Sequence, residues 1–551
     1  MKALPEMNVS QFIVKCLENE GVEYIFGIPG EENIRIVDAL LDSSIKFIPV
    51  RHEQGASFMA DTYGRLTGKA GVCLATLGPG AINLLLGAAN AQLDSHPLVA
   101  LVAQGGVNRS YKESHQIVDL DTMFRPVSKW NGNIVVPEAT PEIVRKAFKV
   151  AQSERPGTTV IILPEDVAAE NINAIPVPVN TVRDSAPSPS QLERAVKVID
   201  EAKAPILIAG PGVCRDRSSE ALIRFSEKTN IPVATTFLAK GVFPDDHEHS
   251  LGTLGFMRHD YTNFGLDSSD VVIAVGYDLI EYAPEKWNPQ ADKKIIHIHN
   301  LPAEVDSHYT LAVGIQGHLG DTLDALGAKI RPLKRCPAVD AKIRALQEQE
   351  FTAGQKDNAF PVKPQRIVAD IRAAMGKKDI VLADTGAAKM WMARLYPCYE
   401  PETCLISNGL ATMAFSLPGA IGAKLAHPDR KVLASMGDGA FLMNSQEIET
   451  AIREKIHFVI LVWVDEHYGL IKWKQELELG REAYVKFTNP DFVKQAESYG
   501  AKGYQIQSAG ELLPTLKKAL ADDTVSIIAC PVDYSENTKL TDKLGELTGA
   551  L

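Results

Sequence analysis

Lys431-Val-Leu-Ala-Ser-Met-Gly437-Asp438-Gly439 reads as a strand running into a Gly-Asp-Gly turn, and the rest of the chain is read outward from it. A helix is expected next, opened by Asn444-Ser-Gln-Glu447 as a capping box with Asn444 at the N-cap. A second apolar run, His457–Val464, ends at Asp465, which follows Asp438 by 27 residues, the length of one βαβ crossover. Both carboxylates then stand at the carboxyl ends of parallel strands, the edge at which open α/β sheets bind ligands. The flanking glycines let backbone N–H groups approach a phosphate, and two hard oxygen ligands beside a phosphate suit Mg2+. The spacing alone accommodates equally well an Asp N-cap followed by an ordinary strand-end turn.

The same alternation of buried strand and amphipathic helix extends through the chain. Val- and Ile-rich runs bounded by Gly, Asp or Pro occur at Lys46–Val50, Val72–Ala75, Leu98–Ala103, Thr158–Leu163, Pro205–Ile208, Val271–Val275, Lys294–His297, Val432–Ser435, Phe458–Val464 and Ser526–Ala529. Buried parallel strands have this composition, so the fold class is α/β, built from doubly wound parallel sheets. At 551 residues the chain is too long for one ordinary domain. Two polar, proline-bearing stretches, Ile175–Ser190 and Arg331–Pro364, have the composition of domain connectors. They divide the chain into three domains at 1–175, 190–335 and 360–551, of which the first and third could share a fold without sharing sequence.

Composition narrows the function. With 57 Lys and Arg against 69 Asp and Glu, the net charge of −12 argues against a nucleic-acid binder, whose affinity comes from clustered basic charge. Small anionic ligands need only one local positive site and stay open. The seven cysteines are scattered with no C-x-x-C pair, which argues against a zinc cluster or dithiol motif and fits a reducing compartment. Met1–Gly21 carries no long apolar run of the signal-peptide kind, and the strongest apolar runs are strand-sized, so no membrane span and a cytoplasmic location are expected.

Further turns gather around the opening motif. Ala383-Asp384-Thr385-Gly386 ends another strand of the third part, and Ser407-Asn408-Gly409-Leu-Ala-Thr-Met413 precedes the Gly/Ala-rich segment Leu417–Ala426. Phe26-Gly-Ile-Pro29-Gly30, Arg51-His-Glu53-Gln-Gly55 and Thr76-Leu-Gly-Pro-Gly80 follow in order in the first part. On these motifs the chain resembles the thiamine diphosphate enzymes of the acetolactate synthase and pyruvate decarboxylase superfamily, and in particular the catabolic, FAD-independent acetolactate synthases. The likeness extends from Phe12 to Pro531-Val-Asp-Tyr-Ser-Glu-Asn.

The resemblance implies thiamine diphosphate and Mg2+ as cofactors. Asp438, Asp465 and the backbone carbonyl of His467 would hold the metal. Met413 would be the hydrophobic wedge that bends the cofactor. Pro29, Thr76, Asp384, Thr385, Gly386, Gly409, Gly437, Gly439, Ala440, Tyr468 and Gly469 would line the cofactor. Glu53 would bond N1′ of the aminopyrimidine and favour its imino tautomer, so that N4′ takes the proton from thiazolium C2; a dry pocket is what lets a carboxyl group share that proton. Alone, a Glu entering an apolar helix is more often a solvated cap. The implied reaction decarboxylates pyruvate and joins the hydroxyethyl carbanion to a second pyruvate, giving 2-acetolactate and CO2. Gln116, in Ser-His-Gln-Ile-Val-Asp, would hold substrate oxygens. The middle part, with Leu207-Ile-Ala-Gly-Pro-Gly-Val, lacks a G-x-G-x-x-G fingerprint, and no FAD is expected. In the family the two halves of each site come from different subunits, which implies a homodimer or homotetramer acting on a small 2-oxo acid.

Three residues depart from the family pattern. Glu31 stands where simple 2-oxo acid decarboxylases place an acidic proton donor, with His115 beside the position of their histidines; this keeps open an alternative in which the carbanion is protonated and an aldehyde released. Lys389 replaces a residue that is usually polar or histidine. Lys474 stands where the family selects acceptor size, and could grip the acceptor's carboxylate. Both lysines read equally well as solvated helix residues. The joint presence of Glu53, Asp438 and Asp465 argues against a non-catalytic nucleotide-binding relative.

Overall fold

The computed structural model describes residues 7–180, 185–255, 260–333 and 337–540. Three parallel sheets of six strands carry the fold. The first holds β1 (Tyr24–Gly27), β2 (Lys46–Pro49), β3 (Gly71–Ala75), β4 (Leu98–Gln104), β5 (Trp130–Asn133) and β6 (Thr158–Pro164), in the order β2-β1-β3-β4-β6-β5. The central sheet holds β7 (Pro205–Ala209), β8 (Val233–Thr235), β9 (Ser250–Thr253), β10 (Val271–Val275), β11 (Lys294–His299) and β12 (Leu311–Gln316), in the order β9-β8-β7-β10-β11-β12. The third holds β13 (Ile380–Ala383), β14 (Cys404–Ile406), β15 (Val432–Gly437), β16 (Val459–Val464), β17 (Lys502–Gln505) and β18 (Ser526–Pro531), in the order β14-β13-β15-β16-β18-β17.

The first and third sheets therefore share one topology, while the central sheet has the 3-2-1-4-5-6 order of dinucleotide-binding folds. Each apolar run named from the sequence coincides with a strand, with ends agreeing to two residues. The runs leave out β1, β5, β8, β9, β12, β13, β14 and β17, which are short or, at a sheet edge, less continuously apolar. β12 shows this directly, with exposed and covered residues alternating along it.

The chain gathers into two compact units. One combines the described residues before position 182 with Gly409–Asp429 and Met443–Phe458; the other holds the central and third sheets. Within the first unit, the helix Glu53–Thr67 packs against Pro79–Asp94 and against Ser416–Ala426. The last of these is small-residue rich (Ser-Leu-Pro-Gly-Ala-Ile-Gly-Ala), which lets two backbones meet: a Cβ at Gly422 would lie 2.3 Å from the Met59 carbonyl oxygen.

Within the second unit the stretch 331–364 is more than a connector. It contains the 20-residue helix Pro337–Lys356, which opens on proline and is rich in Ala, Gln, Glu and Lys, all good helix formers. That helix buries Ile343 beneath the central sheet's core and rests Phe351 on the core of the third. Its Glu350 meets the buried Arg394 guanidinium at 2.8 Å, and Arg394 also donates to both oxygens of Asp260 at 3.1 Å. The other connector, 175–190, has no regular structure in its described residues before the helix Pro189–Asp200; residues 181–184 lie outside the described residues.

Cys16, Cys73, Cys398, Cys404 and Cys530 are buried free thiols, as small hydrophobes would be, and burial pushes the Cys73 thiol up to about 12. Cys336 lies outside the described residues. No described helix is long and apolar enough to cross a membrane.

The close approach at Gly422 has a measurable consequence. Gly422→Ala forces the two helices apart and lowers stability by roughly 1–3 kcal/mol, the cost of overpacking. Gly510→Ala, in the helix Ala509–Ala519 where a Cβ meets nothing within 4 Å, is neutral or stabilising by about 0.5–1 kcal/mol. Thermal and denaturant melts of the two variants check this pair.

Candidate active site

In the first sheet the strand order reverses between β1 and β3, so their carboxyl ends frame a crevice. β1 delivers Ile28-Pro29-Gly30 and β3 delivers Thr76 through Gly80. Asn33 closes the first turn, accepting the Gly30 N–H at 2.8 Å and donating to the Ile28 carbonyl at 3.1 Å. Gly30 must be glycine here, since a Cβ would lie 2.5 Å from that of Thr76. The Thr76 hydroxyl donates to Glu32 at 2.6 Å. Glu53, buried, is the first residue of its helix, and its Oε2 accepts the Asn83 amide at 2.9 Å. A Cβ on Gly80 would stand 3.0 Å from Thr76 Cγ2 and 3.1 Å from Glu53 Oε1, so Thr76 and Glu53 flank one small space.

Two groups to which the sequence assigned no role in the site hold this crevice. His52 is the N-cap of the Glu53 helix, its Nδ1 accepting the Gln54 N–H at 3.1 Å. Glu447, fully buried, accepts the backbone N–H groups of His52 at 3.0 Å and of Arg51 at 3.2 and 3.3 Å, and the Thr450 hydroxyl at 2.7 Å. Burial pushes its carboxyl above the usual range, and those donors pull it back. The expected capping box at Asn444–Glu447 is therefore not formed. The helix Asp438–Asn444 ends where the box would begin, and Gln446 is the N-cap of Glu447–Arg453 without a side-chain bond. Asn444 instead donates to the Ala414 carbonyl at 2.9 Å and accepts the Gln54 amide at 3.2 Å. The box pattern is local, whereas these partners lie about 30 and 390 positions away in the chain.

That bond to Ala414 braces the loop bearing Met413. Gly409 is held at its other end by Asp94, whose Oδ1 accepts the Gly409 N–H at 2.5 Å. Ala411 and Ala414 both adopt positive φ, +54° and +68°, so the half-buried Met413 sits on a strained, doubly anchored loop. Gln116 also has positive φ, +60°, and its carbonyl abuts Gly78. The side chains of Gln116, His115 and Glu31 are exposed in the chain, whereas Glu32 points onto Thr76.

The third sheet repeats the crevice in the second unit, between the ends of β13 and β15. Asp384 is fully buried, its N–H donating to the Ser435 carbonyl at 2.8 Å. A Cβ on Gly386 or on Gly437 would meet nothing within 4 Å, so both turns border open space. The buried Thr385 hydroxyl beside Gly386 has no hydrogen-bond partner among the described residues. Asp438 opens the next helix, and its Oδ2 accepts the N–H of Asp465 (3.2 Å), the N–H of Glu466 (2.8 Å) and the Asn489 amide (2.8 Å). Its Oδ1 accepts the Gly439 N–H at 2.9 Å. Nothing in Thr-Asn-Pro around Asn489 signals that role in the sequence.

Asp465 is pushed up to about 7, first by burial and then by the Asp438 charge. Glu466, next to it, is held at φ +56°. A Cβ on Gly469 would fall 2.6 Å from Asp465 Oδ2, which explains the glycine. His467 pairs with Lys486 in a bridge whose hydrogen bonds run through Glu466 and Tyr468, not through its own carbonyl. Among the described residues no group of three or more His, Cys, Asp or Glu is arranged as a metal site. Two carboxylates, a backbone carbonyl, an unpartnered hydroxyl and an open glycine turn fit Mg2+ that is shared with a diphosphate. Tyr468 stacks at a tilt on Phe487 with centroids 5.0 Å apart, beside Gly439 and hence Ala440.

The two lysines part company. Lys474 is 66% exposed at its side chain and lies 3.7 Å from Glu478, as a solvated helix residue would. Lys389 is not solvated: it is 6% exposed, with Nζ 3.4 Å from Asn408 Oδ1 and 3.5 Å from the Ser407 carbonyl. It follows the Asp384 turn by five residues, on the covered face of the helix Ala387–Leu395.

Known proteins carry the same division along the chain. Residues 7–123 match the N-terminal TPP (thiamine pyrophosphate, that is, diphosphate) binding domain of thiamine pyrophosphate enzymes, 192–326 their central domain and 384–530 their C-terminal TPP binding domain. The fold and its two crevices are thus those of a thiamine diphosphate enzyme. Acetolactate synthase of Bacillus subtilis strain 168 is 35% identical over 100% of this chain and 98% of its own. A probable acetolactate synthase large subunit of Methanocaldococcus jannaschii is 36% identical over 98% of this chain and 95% of its own. The catabolic acetolactate synthase of Raoultella terrigena is 34% identical over 97% of each. The chain belongs to the thiamine diphosphate-dependent acetolactate synthase family.

The paired carboxylates set a pH-dependent stability in metal-free protein. A carboxyl group raised to about 7 binds its proton more tightly in the folded state, so its contribution is present below the ordinary carboxylate range and is lost as pH rises through 7. Asp465→Asn should therefore raise the metal-free melting temperature at pH 8, by about 2–4 °C for each kcal/mol recovered, and by roughly half as much at pH 5.5, where Asp465 is still protonated in the folded state but already ionised in the unfolded chain. Melts of chelator-treated protein at the two pH values check it.

Proposed function

We propose that the protein is an acetolactate synthase-type carboligase that joins two molecules of pyruvate into 2-acetolactate with loss of CO2. The observation that carries this is identity along the whole chain to proteins named acetolactate synthase, one of them catabolic. When bound, thiamine diphosphate supplies the nucleophilic carbon and the electron sink for decarboxylation and ligation. The chain's own residues bind and orient it.

Glu53, held by Asn83 in a buried crevice, holds the proton at N1′ of the aminopyrimidine. Pro29, Gly30 and Thr76 border the same crevice. Asp438, Asp465 and the His467 carbonyl hold Mg2+, with Asn489 fixing the orientation of Asp438. Asp384, Thr385, Gly386, Gly437, Gly439, Ala440, Tyr468 and Gly469 receive the diphosphate, the hydroxyl of Thr385 finding there the partner it lacks among the described residues. Gly409 and Met413 would meet the cofactor from a loop tied at both ends. Gln116 and Lys474 meet substrate oxygens from exposed positions that a second subunit would cover. The family's arrangement of complementary half-sites on different subunits leads us to a homodimer or homotetramer, in the cytoplasm.

The same reading has three domains at 1–175, 190–335 and 360–551, the middle one without FAD. What supports the last point is how the central crevice between β7 and β10 is filled. The turns at Gly210, Gly212 and Gly276 touch backbone to backbone, a Cβ at Gly210 lying 2.4 Å from the Gly276 carbonyl oxygen. Beside them Arg215 pairs with the buried Asp278 at 2.9 Å, and His299 lies 3.4 Å from Asp278.

The aldehyde-releasing alternative is not favoured. The relatives matched along nearly the whole chain are named acetolactate synthases. Incubating the stripped protein with thiamine diphosphate, Mg2+ and several 2-oxo acids, with every product identified by mass, tests this. Acetolactate (acetoin after acid treatment) is expected from pyruvate, and free acetaldehyde as the main product would sink the proposal. Glu53→Gln should lower the rate by roughly 100- to 10,000-fold, as loss of a proton-transfer group does, whereas Glu31→Gln should leave ligation largely intact.

A further inference from the structure

The buried carboxylate of Glu447 is not explained by the chemistry above. It belongs to the third part of the sequence, yet its contacts lie immediately before Glu53: the N–H groups of Arg51 and His52, the two backbone donors that precede the helix. Gly55 makes room for it, since a Cβ there would lie 2.6 Å from Glu447 Oε1. Around it, contacts from the same segment grip the same stretch of the first part at more exposed positions. Glu454 pairs with Lys46 at 3.1 Å, Glu449 stands 3.9 Å from Arg51, and Arg453 donates to the Pro49 carbonyl. Exposed pairs of this kind contribute little, whereas a buried acceptor shared by two backbone donors determines where the chain can go. A negative charge there also meets the positive end of the Glu53 helix.

We propose that Glu447 is a positioning residue: by holding the Arg51 and His52 N–H groups it sets where the helix begins, and so sets the Glu53 carboxylate against N1′ of the aminopyrimidine. This rests on the reading of Glu53 given above. Asn83 supplies one bond to one oxygen of Glu53 and orients the side chain, but Glu447 places the backbone that carries it. Hydrogen bonds weaken steeply with misplacement, so a small shift of residue 53 withdraws its bond to the ring.

The test compares binding of two cofactors to the full-length protein with Mg2+: thiamine diphosphate, and its analogue with ring N1′ replaced by C–H. Wild type should prefer the natural cofactor by roughly ten- to a hundredfold, the worth of a hydrogen bond to a charged group. Glu447→Ala should cut that preference by about tenfold, while affinity for inorganic pyrophosphate, bound through the Asp438 turn, stays within about twofold. Glu447→Gln keeps one acceptor oxygen and should restore most of the preference. In a Glu53→Gln background, adding Glu447→Ala should change the preference less than about twofold, because coupled residues are not additive. Should Glu447→Ala fail to fold, Glu447→Asp, whose carboxylate is set back by one methylene, is expected to show the same loss. No preference in wild type overturns the reading of Glu53; a preference in wild type that survives in Glu447→Ala or Glu447→Asp overturns the positioning role alone.

Discussion

Glu53, Asp438 and Asp465, the carboxylates proposed to serve the cofactor, each sit where a parallel strand gives way to a helix. The first N–H groups of such a helix have no partner inside it, and the helix dipole adds partial positive charge at the same place. Carboxylates buried there receive the donors that water would otherwise supply. Glu447 takes two N–H groups at the start of the Glu53 helix, and Asp438 takes those of Gly439, Asp465 and Glu466. Without that constraint the acidic residues of both half-sites would be costly to bury. With it, they are fixed in orientation and kept dry.

The same constraint explains why three similar sheets have different roles. The first and third sheets leave their switch points lined by glycine turns, a threonine and carboxylates. The central sheet, wound in the order used for dinucleotides, closes its switch point with its own glycine backbones and an Arg215–Asp278 pair. The central sheet is joined to the third through the helix Pro337–Lys356 and the buried Arg394, whose guanidinium serves both Asp260 and Glu350.

Four of the non-glycine residues with positive φ stand beside residues proposed for the site. Ala411, Ala414, Gln116 and Glu466 all hold positive φ without being glycine. Each flanks or bears a residue assigned to the cofactor, metal or substrate. Such conformations cost free energy and persist only where neighbouring bonds enforce them, as Asp94 and Asn444 do for the loop of Met413. Sequence patterns do not register this, because alanine and glutamate announce no special backbone.

What the sequence determined by itself is local or periodic: buried strands of continuous Val and Ile, the Gly-Asp-Gly turn, the interval from Asp438 to Asp465, and Glu53 at a helix start. These depend on neighbours within one crossover, so one-dimensional pattern suffices. Tertiary structure decided the rest. Glu447 was legible only as part of a capping box, and it became a brace for Arg51 and His52 because its partners lie about 395 positions away. Lys389 read equally as solvated, and it is buried because the covered face of a short helix depends on which sheet lies beneath it. Asn489 reached Asp438 from a turn with no motif at all. A side chain's partner across the fold is chosen by packing, which the order of residues along the chain does not display.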